Sequence, residues 1–462
     1  MSKVLLPLKG CEKVGLLGLG TSTRGVLRVL ARYGIGTVTL RTGREEAMCL
    51  SPSLAVRSYT GGALYDDLSE DILFFSPSAR REDARLRTAA ARGCRFSSDA
   101  ELFFDNVRSP VFAVTGSDGK STTATLASLF LSGAGRDVRL AGNIGVALSP
   151  ILLSEGRDTV TVAELSSFQL QYFTPRTRRA VITNLTPNHL NWHRDFSEYK
   201  EAKSHILTYA DDAVLSADDA GCVSLFSAVG VRPFAVFSVK EGVSSLLRFR
   251  ARHILTLSEE AICLDGRRLL PLSEIRLAGE YNVRNFMAAI ALTLGYTDKE
   301  RILSVARTFS GIAHRAETIA VRGGVRYVDS SVDSSPSRTL ATLCAMEEPP
   351  ILLLGGRGKG VPFDTLVPAL LSRTREVILF GETGEEVSSL IAASEKKDKP
   401  PVLRAKNFRD AVRLAVETAT RGDTVLLSPA STSFDEFRNF EERGDTFREE
   451  VLALTKELPT GI

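Results

Sequence analysis

Thr115-Gly-Ser-Asp-Gly-Lys-Ser-Thr122 gathers residue types that can hold a phosphate. Gly116 and Gly119 let the main chain approach a ligand closely, Lys120 supplies a point positive charge, and Ser121 can ligate Mg²⁺. Ser117, Asp118 and Thr122 complete the loop. The spacing Gly-x-x-Gly-Lys-Ser is one residue pair shorter than the usual phosphate-binding loop, and a tight turn with a surface lysine is the plain alternative. Context decides for the phosphate. Val111–Val114 reads as a buried strand, and Thr122–Leu131 has the composition of a helix opening. A strand-to-helix turn of this kind aims backbone N–H groups and the positive end of the helix dipole at one point. The stretch predicts nucleoside triphosphate binding.

Further groups follow in the chain. Glu164 ends a predicted strand, where an acid can hold Mg²⁺ beside phosphates or cap the next helix. His189 and His193 flank the only tryptophan just past another strand, as metal ligands or as structural histidines. Lys203 sits on a polar helix and reads locally as a solvated lysine. Asn282 and Asn285 have i, i+3 spacing at a helix start, so both amides share a face that can read a purine edge, although capping accounts equally well for the first. Arg315 follows a presumed hinge and could reach phosphates when lobes close. Gly355-Gly-Arg-Gly-Lys359-Gly is a basic turn suited to an anion, and Ser428-Pro-Ala-Ser-Thr-Ser433 is its uncharged counterpart.

The elements that must position these groups are those of an α/β protein. The 462 residues suggest about three domains, and 44% hydrophobic with 24% charged residues is ordinary for a globular chain. A net charge of +3 with dispersed basic residues gives nucleic-acid binding no support. Nothing reads as a signal peptide or membrane span, and six scattered cysteines fit a reducing cytoplasm. The first segment, from Val14 through the strand Thr37–Leu40, is a βαβ start. Its Gly18-x-Gly20 pair lacks the full dinucleotide fingerprint, and Arg41 stands where a ribose-binding acid is wanted, so a Rossmann-like lobe for another nucleotide is expected. Apolar strands at 160–163 and 180–183 belong to a central parallel sheet. Strands at 325–328, 351–354, 377–380 and 424–427 belong to a second doubly wound sheet beginning near Ile312. The expected division is 1–109, 110–311 and 312–462.

In this combination the chain resembles the Mur ligases over nearly its full length. The matching runs, in order, include the Gly116–Thr122 loop, Gly142-Asn-Ile-Gly145, Glu164-Leu-Ser-Ser-Phe-Gln-Leu, Asn184-Leu-Thr-Pro-Asn-His189, Glu201-Ala-Lys203, Asn282–Asn285 and His314-Arg315. They end with the Lys359 turn, Ser428-Pro-Ala and Ser433-Phe-Asp-Glu-Phe-x-Asn-Phe440-Glu-x-Arg-Gly444, the last favouring the D-glutamate-adding branch. The resemblance implies a three-domain fold, with a Rossmann-like N-terminal lobe, a P-loop ATPase-like centre and a Rossmann-like C-terminal domain. It also implies a peptidoglycan-building activity: ATP activates the carboxylate of UDP-MurNAc-L-alanine as an acyl phosphate, which the amine of D-glutamate attacks.

By the same resemblance Lys120, Glu164, His189 and Lys203 are catalytic. The loop residues, Asn282, Asn285, Arg315 and Asp329 bind ATP. Ser121, Glu164, His189 and Lys203 hold two Mg²⁺, with Lys203 as a carbamate. Gly18, Gly20, Thr21, Ser22, Asn143, Ser166, Lys359, Ser433 and Phe440 bind substrates. A cytoplasmic monomer without nucleic-acid or membrane partners is implied. Departures from the family pattern are Arg41 at a uracil-reading acid, Ser78 for glycine, Asn191 for aspartate, Ser331 at a lysine and Asp333 at a threonine. An aspartate there would repel an acceptor carboxylate by about 1 kcal/mol or more unless paired. Two alternatives stay open: a ligase of the same fold with another acceptor, including a glutamate tail, and an ATP binder that has lost ligation.

Overall fold

The computed structural model describes residues 5–18, 20–33, 37–42, 55–60, 64–133, 135–190, 192–277, 279–358 and 361–459, with backbone alone for 37 and 55–60. The chain folds as two compact units, Met1–Phe309 and Ser310–Ile462.

The first unit contains two sheets. β1 (Lys13–Leu17), β2 (Thr37–Thr42), β3 (Ala55–Thr60), β4 (Ile72–Phe75) and β5 (Arg95–Ser98) form a parallel sheet of order β3-β2-β1-β4-β5. β1 and β4 are buried almost throughout, as a sheet covered on both faces requires.

The larger sheet holds β6 (Val111–Thr115), β7 (Asp137–Gly142), β8 (Thr159–Glu164), β9 (Arg176–Ile182), β10 (Tyr209–Ser216), β11 (Ala235–Ser238), β12 (His253–Leu257), β13 (Ala261–Leu264) and β14 (Arg267–Pro271). Its order is β14-β13-β12-β11-β10-β9-β6-β8-β7, parallel from β7 to β12 and antiparallel beyond. β6 and β8 are buried at every residue and lie side by side, so the loops after them open at one end of the sheet.

Helix Glu280–Thr293 packs on helix Lys120–Leu131 and is buried from Phe286 to Thr293, an all-round apolar surface. Its last carbonyls are capped by a buried cation. Arg179 Nη1 donates to Leu292 O (2.9 Å) and Leu294 O (3.0 Å), while the guanidinium lies 3.8 Å from the Phe234 ring and pairs with Asp212.

The second unit is one sheet. β15 (Glu317–Arg322), β16 (Val325–Asp329), β17 (Ile351–Gly355), β18 (Glu376–Phe380), β19 (Val402–Arg404) and β20 (Thr424–Leu427) take the order β15-β16-β20-β17-β18-β19, with β15 antiparallel. Helix Phe408–Thr418 buries Phe408, Ala411, Val412 and Ala415 against one face, the i, i+3, i+4, i+7 stripe its sequence predicts.

Candidate active site

The phosphate loop connects β6 to helix Lys120–Leu131, which begins at the lysine itself. Gly116 (φ 151°) runs so close to β9 that a Cβ would collide with Thr183 Oγ1; Gly119 (φ 75°) packs against Asn285 Oδ1 in the same way. Gly119 is the N-cap and supplies no capping side chain, which leaves the dipole end to an anion. The loop is braced from the far side. Ser117 N and Asp118 N donate to Asn184 O (3.0 Å) and Asn184 Oδ1 (2.9 Å), and Thr183 Oγ1 donates to Asp118 O (2.5 Å). These two loop N–H groups therefore shape the loop through Asn184, which sequence reasoning matched as a motif without giving it a role. Lys120 Nζ donates to Ser117 O at 2.7 Å.

Behind the loop lies a buried charged group. Glu164, at the end of β8, is fully buried; Asn143 Nδ2 donates to its Oε1 (2.8 Å), and Oε2 has no hydrogen-bond partner. Gly142 (φ 108°) permits this, because a Cβ there would strike Glu164 O. Lys203 is only 1% exposed, and its Nζ donates to Gly116 O (2.7 Å) and Thr115 Oγ1 (3.1 Å). The solvated lysine that local pattern suggested is thus a core residue on helix Phe196–Thr208, facing β6. Burial pushes its ammonium well below the usual lysine range; Lys120 adds to this, and Glu164 opposes it. Lys120, Glu164 and Lys203 therefore share one electrostatic neighbourhood.

His189 adopts φ 55°, uncommon for a non-glycine residue, and its ring lies 4.9 Å from Phe168. His193 is buried among Phe168, Trp192 and Tyr199. Its Nε2 meets Ser167 Oγ at 2.9 Å; Nδ1 has no hydrogen-bond partner and lies 3.8 Å from Glu198. Burial brings His193 down to about 4 and sends the Tyr199 phenol up to about 12. Trp192 Nε1 donates to Ser78 O after β4. The structure thus makes His193 a neutral packing residue. Asn191 lies outside the described residues.

Asn282 and Asn285 are both buried, with Asn285 Nδ2 donating to Asn282 Oδ1 (3.3 Å) and Thr123 Oγ1 donating to Asn285 Oδ1 (3.4 Å). The helix N-cap is Gly279, so the capping alternative for Asn282 is excluded. A cleft is lined by Ser22, Ser76, Arg81, Phe168, Gln169 and Tyr172 among others. Gly18 (φ 85°) lies against Ser76, and Gly20 and Thr21 open the helix Thr21–Tyr33 beside Ser22. Ser166 forms a reciprocal capping box with Gln169. Arg41 is buried and paired with Glu70 at 2.8 Å, with further bonds to the carbonyls of Leu64, Asp66 and Asp67. It clamps a loop, which explains how a cation replaces an acid at the end of β2.

In the second unit Asp329 ends β16. Its Oδ2 meets His314 Nδ1 at 2.7 Å and its Oδ1 accepts from Ser331 N at 2.8 Å, leaving the acid fully buried. That hydrogen bond holds the His314 imidazolium above the usual histidine range. Among the described residues the one trio of His, Cys, Asp or Glu with ligand atoms within 4.8 Å is His314, Glu317 and Asp329. Glu317 is occupied by Arg448 and by the His314 N–H, so the trio is a hydrogen-bonded brace. Arg315 is exposed, Ser433 buried and Phe440 half-buried at the start of helix Phe440–Leu454; Lys359 lies outside the described residues. Asp333 accepts from Thr342 Oγ1 (2.7 Å) and Ser428 Oγ (2.8 Å), so it is a paired internal acceptor.

Known proteins place this arrangement. Residues 114–293 match the Mur ligase middle domain and residues 314–431 the Mur ligase glutamate ligase domain. The chain belongs to the Mur ligase family, ATP-dependent enzymes that form amide bonds. Among curated relatives, UDP-N-acetylmuramoylalanine–D-glutamate ligase of Clostridium kluyveri is 35% identical over 451 residues, covering 96% of each chain. The proteins of the same name from Acetivibrio thermocellus and Symbiobacterium thermophilum are 34% and 35% identical over 96% of this chain and 97% and 98% of theirs. The fold is also that of a UDP-N-acetylmuramate–alanine ligase from Thermotoga maritima, with a TM-score of 0.56 and 19% identity over 96% of this chain and 99% of that one. A pseudomurein peptide ligase from Methanothermus fervidus gives 0.52 at 17%, over 95% and 100%.

Proposed function

We propose that this chain joins D-glutamate to UDP-N-acetylmuramoyl-L-alanine with ATP, a step of peptidoglycan synthesis. The observation that carries the reading is similarity of 32–35% across 96% of the chain to relatives bearing that name. The buried Glu164 and Lys203 beside the half-buried Lys120 support it, since a nucleotide binder needs only the last. Working divisions at 1–109, 110–311 and 312–462 are part of the proposal, as are a monomeric state and a cytoplasmic location. Among the described residues no helix is long and apolar enough to cross a membrane.

The chemistry asks for charge neutralisation and positioning. The muramoyl-alanine carboxylate oxygen attacks the γ-phosphorus, the bond to the bridging β–γ oxygen breaks, and ADP leaves an acyl phosphate. The amine of D-glutamate then attacks the acyl carbon, losing a proton, and the tetrahedral intermediate expels phosphate. Lys120 and the uncapped helix end neutralise the transferring phosphoryl group. Asn282 and Asn285, against the loop, contact the nucleotide; the family resemblance also assigns Arg315 and Asp329 to ATP, although Asp329 is fully buried against His314 and Ser331. Gly18, Gly20, Thr21 and Ser22 would receive the UDP portion, with Asn143 and Ser166 on the sugar-peptide side and Lys359, Ser433 and Phe440 on D-glutamate.

The unpartnered, buried Glu164 Oε2 fits a divalent cation. Ser121, Glu164, His189 and a carbamylated Lys203 would hold two Mg²⁺, which when bound supply Lewis-acid neutralisation of phosphate charge. The depressed Lys203 ammonium favours the neutral amine, the form whose nitrogen bonds CO₂ with loss of a proton.

A second reading, another amino-acid acceptor, draws on Ser331 and Asp333. Pairing of Asp333 with two hydroxyls weakens it. Phosphate release with UDP-MurNAc-L-alanine across a panel of D- and L-amino acids decides between them. D-Glutamate should be the preferred acceptor; preference for another amino acid, or turnover only with folates, overturns the proposal.

A further inference from the structure

Arg443 matched a family run in the sequence and was given no task there. In the second unit it is the one fully buried arginine or lysine among the described residues. Its guanidinium makes no ion pair. Nε donates to Ser331 Oγ (3.0 Å), Nη2 to Ser331 O (2.9 Å) and Ser431 O (3.2 Å), and Nη1 to Ser431 O (3.2 Å). All of these acceptors are neutral. A buried guanidinium held by neutral acceptors keeps its full charge in a low-dielectric setting, an arrangement that helps stability little and projects a strong local field. Burial lowers it only to about 10, so it stays charged at neutral pH; Asp435, Asp329 and Asp333 face it at longer range and oppose that lowering.

Its position is as informative as its charge. Nη1 lies against Gly356, where a Cβ would sit 3.1 Å away, in the glycine turn after β17. The Ser331 hydroxyl that receives Nε donates onward to Phe440 O at 2.8 Å. Arg443 therefore stands behind the glycine turn, Ser431 and the start of the Phe440 helix at once. Asp329 already has the His314 ring and Asp333 has two hydroxyls, so the negative charge that Arg443 mainly offsets is that of Asp435, whose influence on it is the largest of the three. Asp435 has a buried Oδ2 without a hydrogen-bond partner, so Arg443 compensates its charge through space rather than by a hydrogen bond.

We infer that Arg443 is a positioning and specificity residue for the acceptor, the internal cation that offsets Asp435, acts through Ser331, and lets a dicarboxylic amino acid bind. This rests on the reading of D-glutamate as acceptor, and D-glutamate turnover by the unaltered enzyme tests that reading separately.

Arg443→Gln keeps donors and removes charge. It should raise the KM for D-glutamate at least 30-fold, leave the KM for ATP within about threefold, and cut the preference for D-glutamate over D-glutamine at least tenfold. Arg443→Lys, retaining the charge, should keep the D-glutamate KM within about fivefold. Asp435→Asn should act in the opposite sense, raising the preference for D-glutamate at least threefold, and it decides the matter if Arg443→Gln does not fold. An unchanged preference in Arg443→Gln, or in its absence in Asp435→Asn, overturns the inference, as does an equal loss with all substrates.

Discussion

His193 allows a test in which protonation alone is the perturbation. Its imidazole is buried in a box of aromatic rings, and burial brings it to about 4 from an ordinary 6.5. Glu198 favours the charged form, but at 3.8 Å it does not compensate. The native value lies below the unfolded one, so the unfolded chain takes up the proton first. Stability from this group is fully present above about pH 6.5 and is lost as pH falls through about 4. Linkage gives a loss of about 2.5 kcal/mol between pH 7.5 and pH 4.5 from this residue. His193→Gln retains a donor for Ser167 Oγ and cannot ionise. Urea unfolding, followed by fluorescence of the single tryptophan, Trp192, 4.7 Å from the His193 ring, reads the relevant region directly. Carboxylates apart from the neighbouring Glu198, which His193 lowers only as the last of several causes, titrate alike in both proteins, so the difference reports mainly the histidine. The unaltered chain should lose about 2.5 kcal/mol more than His193→Gln over that interval. Equal losses would refute the claim that this imidazole is held neutral by burial.

Gly119→Ala places a Cβ on Asn285 Oδ1 and forces alanine to φ 75°, so ATP binding measured by calorimetry should weaken more than tenfold, while the far-UV spectrum is kept. Lys203→Ala should be nearly inactive in the phosphate-release assay and partly restored by formate or acetate, which can replace a missing carboxylate ligand; full activity without rescue returns the lysine to a packing role. Asp333→Thr removes the acceptor of the Ser428 and Thr342 hydroxyls, so the second unit should lose about 1–3 kcal/mol in thermal or urea unfolding, with the D-glutamate KM moving less than threefold. D-Glutamate activity that appears in that variant and is absent from the unaltered chain would make the chain a ligase for another acceptor.

Strands built from continuous apolar runs were legible in the sequence. β6, β8, β16, β17, β18 and β20 lie within about a residue of where composition puts them, because a doubly covered sheet selects an apolar residue at nearly every position. β12 to β14 were not read: an antiparallel extension with mixed burial carries weaker patterning, and Arg267 and Arg268 at the start of β14 are exposed. Site residues divided similarly. The phosphate loop declares itself because its glycines are required locally. The burial of Lys203 and of Arg41 depends on partners far along the chain, Gly116 and Glu70 respectively, so no local pattern could reveal either. His193 reads equally as a ligand or as a structural histidine in the sequence; the aromatic surroundings that decide for packing come partly from Phe168, an element away.

The strand order of the second unit also bears on how the chain is made. β20, Thr424–Leu427, lies between β16 and β17, so the sheet's middle position is filled by one of its last-synthesised segments. While the ribosome is still short of that point, β16 and β17 each expose an edge lined by apolar residues, with nothing between them. Helix Phe440–Leu454, which buries Phe447 and Val451 in the same core, emerges later still. The nascent unit therefore passes most of its synthesis as a split template that invites pairing with other chains. Messages ending before codon 424 should yield inclusion bodies rather than a shortened soluble unit, and holdase chaperones should be found on arrested chains of that length.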